Sequence, residues 1–191
     1  RKQFAYFCDA IFSLMNYFLK FVFIFLPFAL IAQTNQTINP NGYNIFYYDN
    51  GKVSSEGTLR DGKPDGYWKT YFENGKIKSE GNRTNLKLDG VWKFYNEKGI
   101  LVSELNYKAG KKNGIKKTYD SSEGFLILSE SYENDLKQGN TLEYYKPEVG
   151  NTKQGRLKQL TPFVNGLEEG QGFEFNPDSL LITITQYKMG Y

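Results

Sequence analysis

The chain has 191 residues, 39% of them hydrophobic, and a formal net charge of +3. It contains no histidine and one cysteine, Cys8, which excludes Ser-His-Asp and Cys-His nucleophile systems, an imidazole base and an ordinary zinc site. Three of the 24 basic side chains (Arg1, Lys2, Lys20) and one of the 21 acidic ones (Asp9) precede Gln33, leaving 21 against 20 beyond it. So neutral a body lacks the clustered excess of Lys and Arg that displaces counterions from nucleic acid, and no nucleic-acid partner is expected.

From Met15 the chain runs MNYFLKFVFIFLPFALIAQ, a short n-region with Lys20, an apolar h-region from Phe21 to Ile31, and the small Ala32 before Gln33. That is the layout of a secretory signal peptide, and the expected cleavage follows Ala32. The apolar run is short for a membrane span and is followed at once by Thr34, Asn35 and Gln36, although an uncleaved anchor is the alternative. Residues 1–14 precede the signal and read as a gene-model extension, so the expected mature chain starts at Gln33, has no thiol, and is exported to the periplasm, cell surface or medium. Residues 33–40 form a linker.

Residues 41–191 carry a repeat. Gly42, Gly66, Gly90, Gly114, Gly139 and Gly170 are spaced by 24, 24, 24, 25 and 31 residues, and the fifth position after each is Tyr47, Tyr71, Tyr95, Tyr119, Tyr144 and Phe175. A second glycine follows at Gly51, Gly75, Gly99 and Gly124, then a glutamate at Glu56, Glu80, Glu104 and Glu130. Each of about six units is expected to be a strand, a tight turn, a second strand and a polar linker. Hairpin turns are expected at Asn50-Gly51, Asn74-Gly75 and Lys98-Gly99, that at Asn74-Gly75 being of type I′, with two positive-φ residues.

A two-residue turn at Asn74-Gly75 sets a register. Trp68 falls opposite Gly81, which leaves room for the indole, Lys69 opposite Glu80, Thr70 opposite Ser79, Tyr71 opposite Lys78 and Phe72 opposite Ile77. Trp68, Phe72 and Ile77 then share one face, with Tyr67, Lys69, Tyr71, Lys78 and Glu80 on the other. The same arithmetic pairs Lys93 with Glu104 and Trp92 with Leu105. A turn at Glu123-Gly124 pairs Lys117 with Glu130, if one residue is added to each arm. These charge pairs read as an exposed ladder worth a few tenths of a kcal/mol each, not as catalytic carboxylates.

The motif K-x-D-G-x-W-K-x-Y-x-x-x-G-x-x-x-x-E at 63–80 and 87–104 resembles the MORN-repeat variant of bacterial proteins of the antitoxin-like YwqK type. The resemblance implies an all-β fold, an elongated single antiparallel meander of tandem hairpins of about 24 residues. It also implies roles in protein interaction or membrane association, with no catalytic residues and no cofactor. The tryptophan position is Asn44, Lys116, Thr141 and Gly172 in the other units, which confines any tryptophan site to 66–110. Residues 146–160 break the period and are expected to form a longer turn or protruding hairpin of the kind that carries binding. The chain stops at Gly190 and Tyr191, where another repeat or cap is expected.

Three functions fit a sheet of this kind. The first is a non-enzymatic envelope scaffold, immunity-like in role where the resemblance extends that far, that binds a protein through Tyr47, Tyr71, Tyr95, Tyr119 and Tyr144, an amphipathic row of a type favoured at interfaces. The second is binding of a cell-wall glycan or membrane surface through exposed aromatics, with Trp68 and Trp92 contributing. The third, an enzyme, is disfavoured: thirteen glutamates keep carboxylate-pair hydrolysis formally open, but nothing gathers two of them in a pocket. No metal site and no cofactor are expected.

Overall fold

The computed structural model describes residues 37–147 and 155–188. The residues expected to be an extension and a signal peptide, and the first half of the 33–40 linker, lie outside the described residues.

Among the described residues there are fourteen strands and no helix. β1 (Tyr43–Tyr47) pairs with β2 (Val53–Arg60), β3 (Lys63–Tyr71) with β4 (Ile77–Thr84), and β5 (Lys87–Tyr95) with β6 (Leu101–Lys108). β7 (Lys111–Tyr119) pairs with β8 (Leu126–Glu133), β10 (Gly139–Tyr144) with β11 (Leu157–Val164), and β13 (Gly170–Phe175) with β14 (Leu181–Tyr187). The two-residue strands β9 (Leu136–Lys137) and β12 (Leu167–Glu168) add to β8 and β11. All belong to one open antiparallel sheet whose spatial order is the chain order.

Two kinds of turn alternate along this meander, and the type I′ turns are not at the expected places. At the expected tips the loop has three residues: Phe72 N–H donates to Lys76 O and Gly75 N–H to Phe72 O, both at 2.8 Å. Only Gly75 has a positive φ, 87°, which is a type I turn closed by a glycine bulge. Asn74 is held there by accepting from Lys76 N–H at 2.9 Å. The loops after Tyr48 and Asn96 repeat this pattern. The two-residue turns with both φ positive are the stretches read as polar linkers: Asp61-Gly62, Asn85-Leu86, Ala109-Gly110, Asn134-Asp135 and Asn165-Gly166.

The wider tip changes the register near it. Trp68↔Gly81, Lys69↔Glu80 and Thr70↔Ser79 pair as expected, but a bulge then sets Tyr71 opposite Ile77 instead of Lys78. A slip of one residue exchanges faces. Ile77 therefore joins the tyrosine face, while the Lys78 amine stands 5.7 Å from the centre of the Phe72 ring. In the fourth hairpin the extra length is in the loop, from Asp120 to Phe125, and the arms are not lengthened. Glu130 consequently lies opposite Lys116, and Lys117 faces Ser129.

The indoles also lie elsewhere than expected. Trp68 covers Gly57 of the preceding repeat, where a Cβ would stand 2.5 Å from the ring, and Trp92 covers Gly81 in the same way. Each indole N–H donates across that glycine strand, Trp68 to Thr58 O at 3.1 Å and Trp92 to Asn82 O at 2.7 Å. Phe46 stacks on Trp68 with centroids 6.1 Å apart. Leu59, Trp68 and Trp92 form the core, with Phe46, Leu88, Phe94 and Tyr107 packed against it. Among the described residues no large side chain is fully buried, as expected for a single layer with two open faces.

Candidate functional site

Cross-strand partners point to the same face, so the register defines rows that cross the whole sheet. One row reads Ile45, Glu56, Lys69, Glu80, Lys93, Glu104, Lys117, Ser129, Leu142, Leu160, Phe173, Ile184. The Glu-Lys ladder is therefore continuous from β2 to β7, each of its four inner charges lying between two of opposite sign, and gives way to apolar side chains from β10 onward.

The tyrosine row flanks this ladder on the tip side, and three of its phenols are occupied. Tyr71 donates to Glu56 at 2.5 Å, Tyr95 to Glu80 at 2.7 Å and Tyr119 to Glu104 at 2.8 Å, each reaching the glutamate of the preceding repeat. Burial, then the glutamate bond, pushes all three phenols well above the ordinary tyrosine range. In return the Tyr71 bond holds the Glu56 carboxyl below the usual carboxylate range. Of the five expected binding tyrosines, Tyr47 is 54% exposed, while Tyr71, Tyr95, Tyr119 and Tyr144 are half-buried. Trp68 and Trp92 are 7% and 3% exposed on the opposite face, so sequence reasoning that offered their rings as surface aromatics is corrected.

The exposed row lies on the other side of the ladder. Tyr43, Tyr67, Val91 and Ile115 occupy the same position in four successive repeats, with 57%, 49%, 54% and 47% of their surfaces open. For Tyr67, Val91 and Ile115 the exposure follows from the aligned glycines. Gly66, Gly90 and Gly114 have φ of 82°, 70° and 109°, and around them the strand bulges away from its predecessor. Asp65–Tyr67 oppose Thr58 alone, and Asn113–Ile115 oppose Asn106 alone. The residue after each glycine thus lacks a directly opposed neighbour on the preceding strand. A shallow groove of about 240 Å³ lies between Val91 and Ile115, lined also by Glu104 and Lys117. The signal was present in the sequence as the residue after each aligned glycine, but it needed the bulge to make it meaningful.

Of residues 146–160, only the two ends are among the described residues. Tyr145 N–H donates to Arg156 O at 2.9 Å, closing the hairpin base, and β11 takes residues 157–160; residues 148–154 lie outside the described residues.

The MORN repeat variant matches residues 40–61, 64–85 and 88–109. Three successive stretches of the chain are thus similar to this repeat. Each match spans a first arm, a glycine-bulge tip, a second arm and the start of the type I′ junction or the residues leading to it. No curated protein matches the chain. Within the MORN-variant repeats lie both tryptophans, most of the Glu-Lys ladder and three members of the exposed row; Ile115 extends that row one hairpin further.

Proposed function

We propose that this chain is a non-enzymatic scaffold that docks a protein partner on the tyrosine face of its MORN-variant repeats, and that it works outside the cytoplasm after removal of its leader. The observation that carries the reading is the exposed row Tyr43, Tyr67, Val91 and Ile115 running beside a fixed row of alternating charge. Successive members lie two strands apart, roughly 10 Å, so one partner segment crossing the strands meets an apolar anchor at each repeat. Apolar and aromatic anchors rimmed by charge are the usual anatomy of a protein interface. A glycan needs aromatic faces on which to stack, and here the row turns aliphatic at Val91 while both indoles are buried, which favours protein over cell wall. An immunity role of the kind the resemblance implies would make that partner a toxin.

A photo-crosslinking residue at position 91 is the direct test. It is expected to capture a discrete partner that the same residue at Thr183, on the other face, does not, and the Tyr67→Ser/Ile115→Ser background is expected to lose that band. Capture unchanged by those substitutions would remove this row as the docking site. Export is tested separately by mass mapping of the mature N-terminus, expected at Gln33; an intact cytoplasmic form containing residues upstream of Met15 would contradict it.

A further inference from the structure

The two faces exchange character along the sheet. On the tyrosine face of β10, β11, β13 and β14 the ladder row is Leu142, Leu160, Phe173 and Ile184, and the tip row is Tyr144, Leu157, Phe175 and Leu181. The third row on that face, Asn140, Pro162, Gln171 and Gln186, is polar but uncharged. No position of these rows carries a charge. The opposite face of the same strands instead carries Thr141, Thr161 and Thr185 where the tryptophans stand in earlier repeats, with Glu143 and Glu174 beside them. Leu181 and Ile184 are 50% and 54% exposed.

We propose that this uncharged apolar face pairs with the same face of a second copy of the chain, sheet against sheet, in a symmetric dimer. A two-fold contact brings each residue type near its own kind, so a self-pairing surface must be free of like-charge conflict. This face meets that condition, whereas the Glu-Lys ladder meets it only in selected registers. Two rows of large side chains on one sheet face are also what an inner face of a sandwich presents, with its mate about 10 Å away. The face of this composition that the fold itself provides is another copy's. Four strands about 4.8 Å apart give a patch that buries on the order of 1,000 Å² over two copies, the size of a weak, concentration-dependent dimer. The dimer would leave the exposed row at Tyr67, Val91 and Ile115 free, and so is independent of the partner surface proposed above.

Sedimentation of the full chain across micromolar concentrations is the test. The expected result is a mass rising to twice that of one chain, with the rise lost in Leu160→Gln/Phe173→Gln. Thr183→Lys, on the other face of β14, is expected to leave the dimer unchanged. A second measurement, independent of how the double variant folds, uses Cys8→Ser/Gln171→Cys, whose labelling by a maleimide is expected to slow in step with the dimer fraction. A monomer at every concentration overturns the proposal. So does a dimer that Thr183→Lys abolishes while Leu160→Gln/Phe173→Gln does not, which would assign contact to the strand edge. A monomer that partitions onto phosphatidylcholine vesicles also overturns it, in favour of a lipid-facing role.

Discussion

Strands β2–β7 and strands β10–β14 share one backbone plan and carry opposite side-chain chemistry on it. In both, glycine at positive φ opens the first arm, the arms pair with a bulge near the tip, and the next junction begins with an arm of the same register. In β2–β7 the dry face holds Leu59, Trp68, Trp92 and Leu105 and the other face holds the Glu-Lys-Tyr network. In β10–β14 that network's row is apolar and the tryptophan row is threonine and glycine. The backbone plan therefore depends on a few glycines and turns, and the identity of the dry face is free to change. A single-layer sheet permits this because neither face is committed to a common interior.

The exchange happens at β7–β8. Lys116 takes the tryptophan position, and Glu130, 4% exposed, takes its partner position. Lys116 and Lys137 reach the two Glu130 oxygens at 2.7 and 2.8 Å, and Tyr132 donates to the same carboxylate at 3.2 Å. Burial alone would raise the Glu130 pKa, but the two lysines outweigh it and hold the carboxyl below the usual range.

The sharpest way to break the comparison is to truncate the same row in both regions. Trp92→Ala removes a nearly buried indole and is expected to cost about 3 to 5 kcal/mol in denaturant melts. Thr161→Ala, in the same row on β11, is expected to cost about 1 kcal/mol. Equal costs would mean that the tryptophan face is dry throughout.

The crossing point comes next. Glu130→Leu alone leaves two lysines around an apolar side chain and is expected to destabilise by about 1 to 3 kcal/mol. Lys116→Met/Glu130→Leu extends the apolar row of β3–β6 and is expected to recover most or all of that loss, since packed hydrophobic replacements of buried ion pairs are often neutral or better. A double variant worse than the single one would show that the ions position β8.

Alkaline pH sharpens the comparison without mutation. The folded pKa values of Tyr71, Tyr95 and Tyr119 lie above the ordinary value of 10.0, so their stabilisation is complete below about pH 10 and is lost as pH rises through the folded values. Melting temperature is expected to fall above about pH 10, and Tyr71→Phe/Tyr95→Phe/Tyr119→Phe to flatten that fall. An unchanged alkaline limb would remove the glutamate bonds as a source of stability. The smallest effect belongs to the exposed row: Val91→Ser/Ile115→Ser is expected to shift stability by only about 0.5 kcal/mol, and a large loss in the same melts would recast that row as packing.

How much of this was legible depends on the range of the signal. The repeat, the Lys69–Glu80 and Lys93–Glu104 pairs and the Trp92–Leu105 pair followed from spacing, because a period of 2 fixes pairing once a turn is roughly placed. The turn types did not follow, because Asn74-Gly75 fits both a two-residue and a three-residue loop and only the φ of Asn74 decides. The Asn165-Gly166 signal for type I′ was equally visible but was assigned to a linker. Which glycine lies under each indole, and which tyrosines are bonded, depend on contacts between repeats, and pairing within one hairpin carries no information about them. The exchange of faces needed the Lys117↔Ser129 register, because the longer spacing of this hairpin reveals added length but not that it lies in the loop.

The stitches at the strand ends reach only to an adjacent repeat: Gly62 N–H to Pro40 O, Gly110 N–H to Leu88 O, and Asn74 Nδ2 to Glu97 O, all at 2.8 to 2.9 Å. Each hairpin therefore senses its neighbours and nothing further, and the sheet behaves as a chain of local free energies in series. At Lys116, Glu130 and Lys137 the link in that series is ionic where the flanking links are apolar. Salt or acid that weakens this one link acts on cooperativity before it acts on structure, so that the MORN-variant repeats and the strands beyond them can open as separate units while each keeps its own fold.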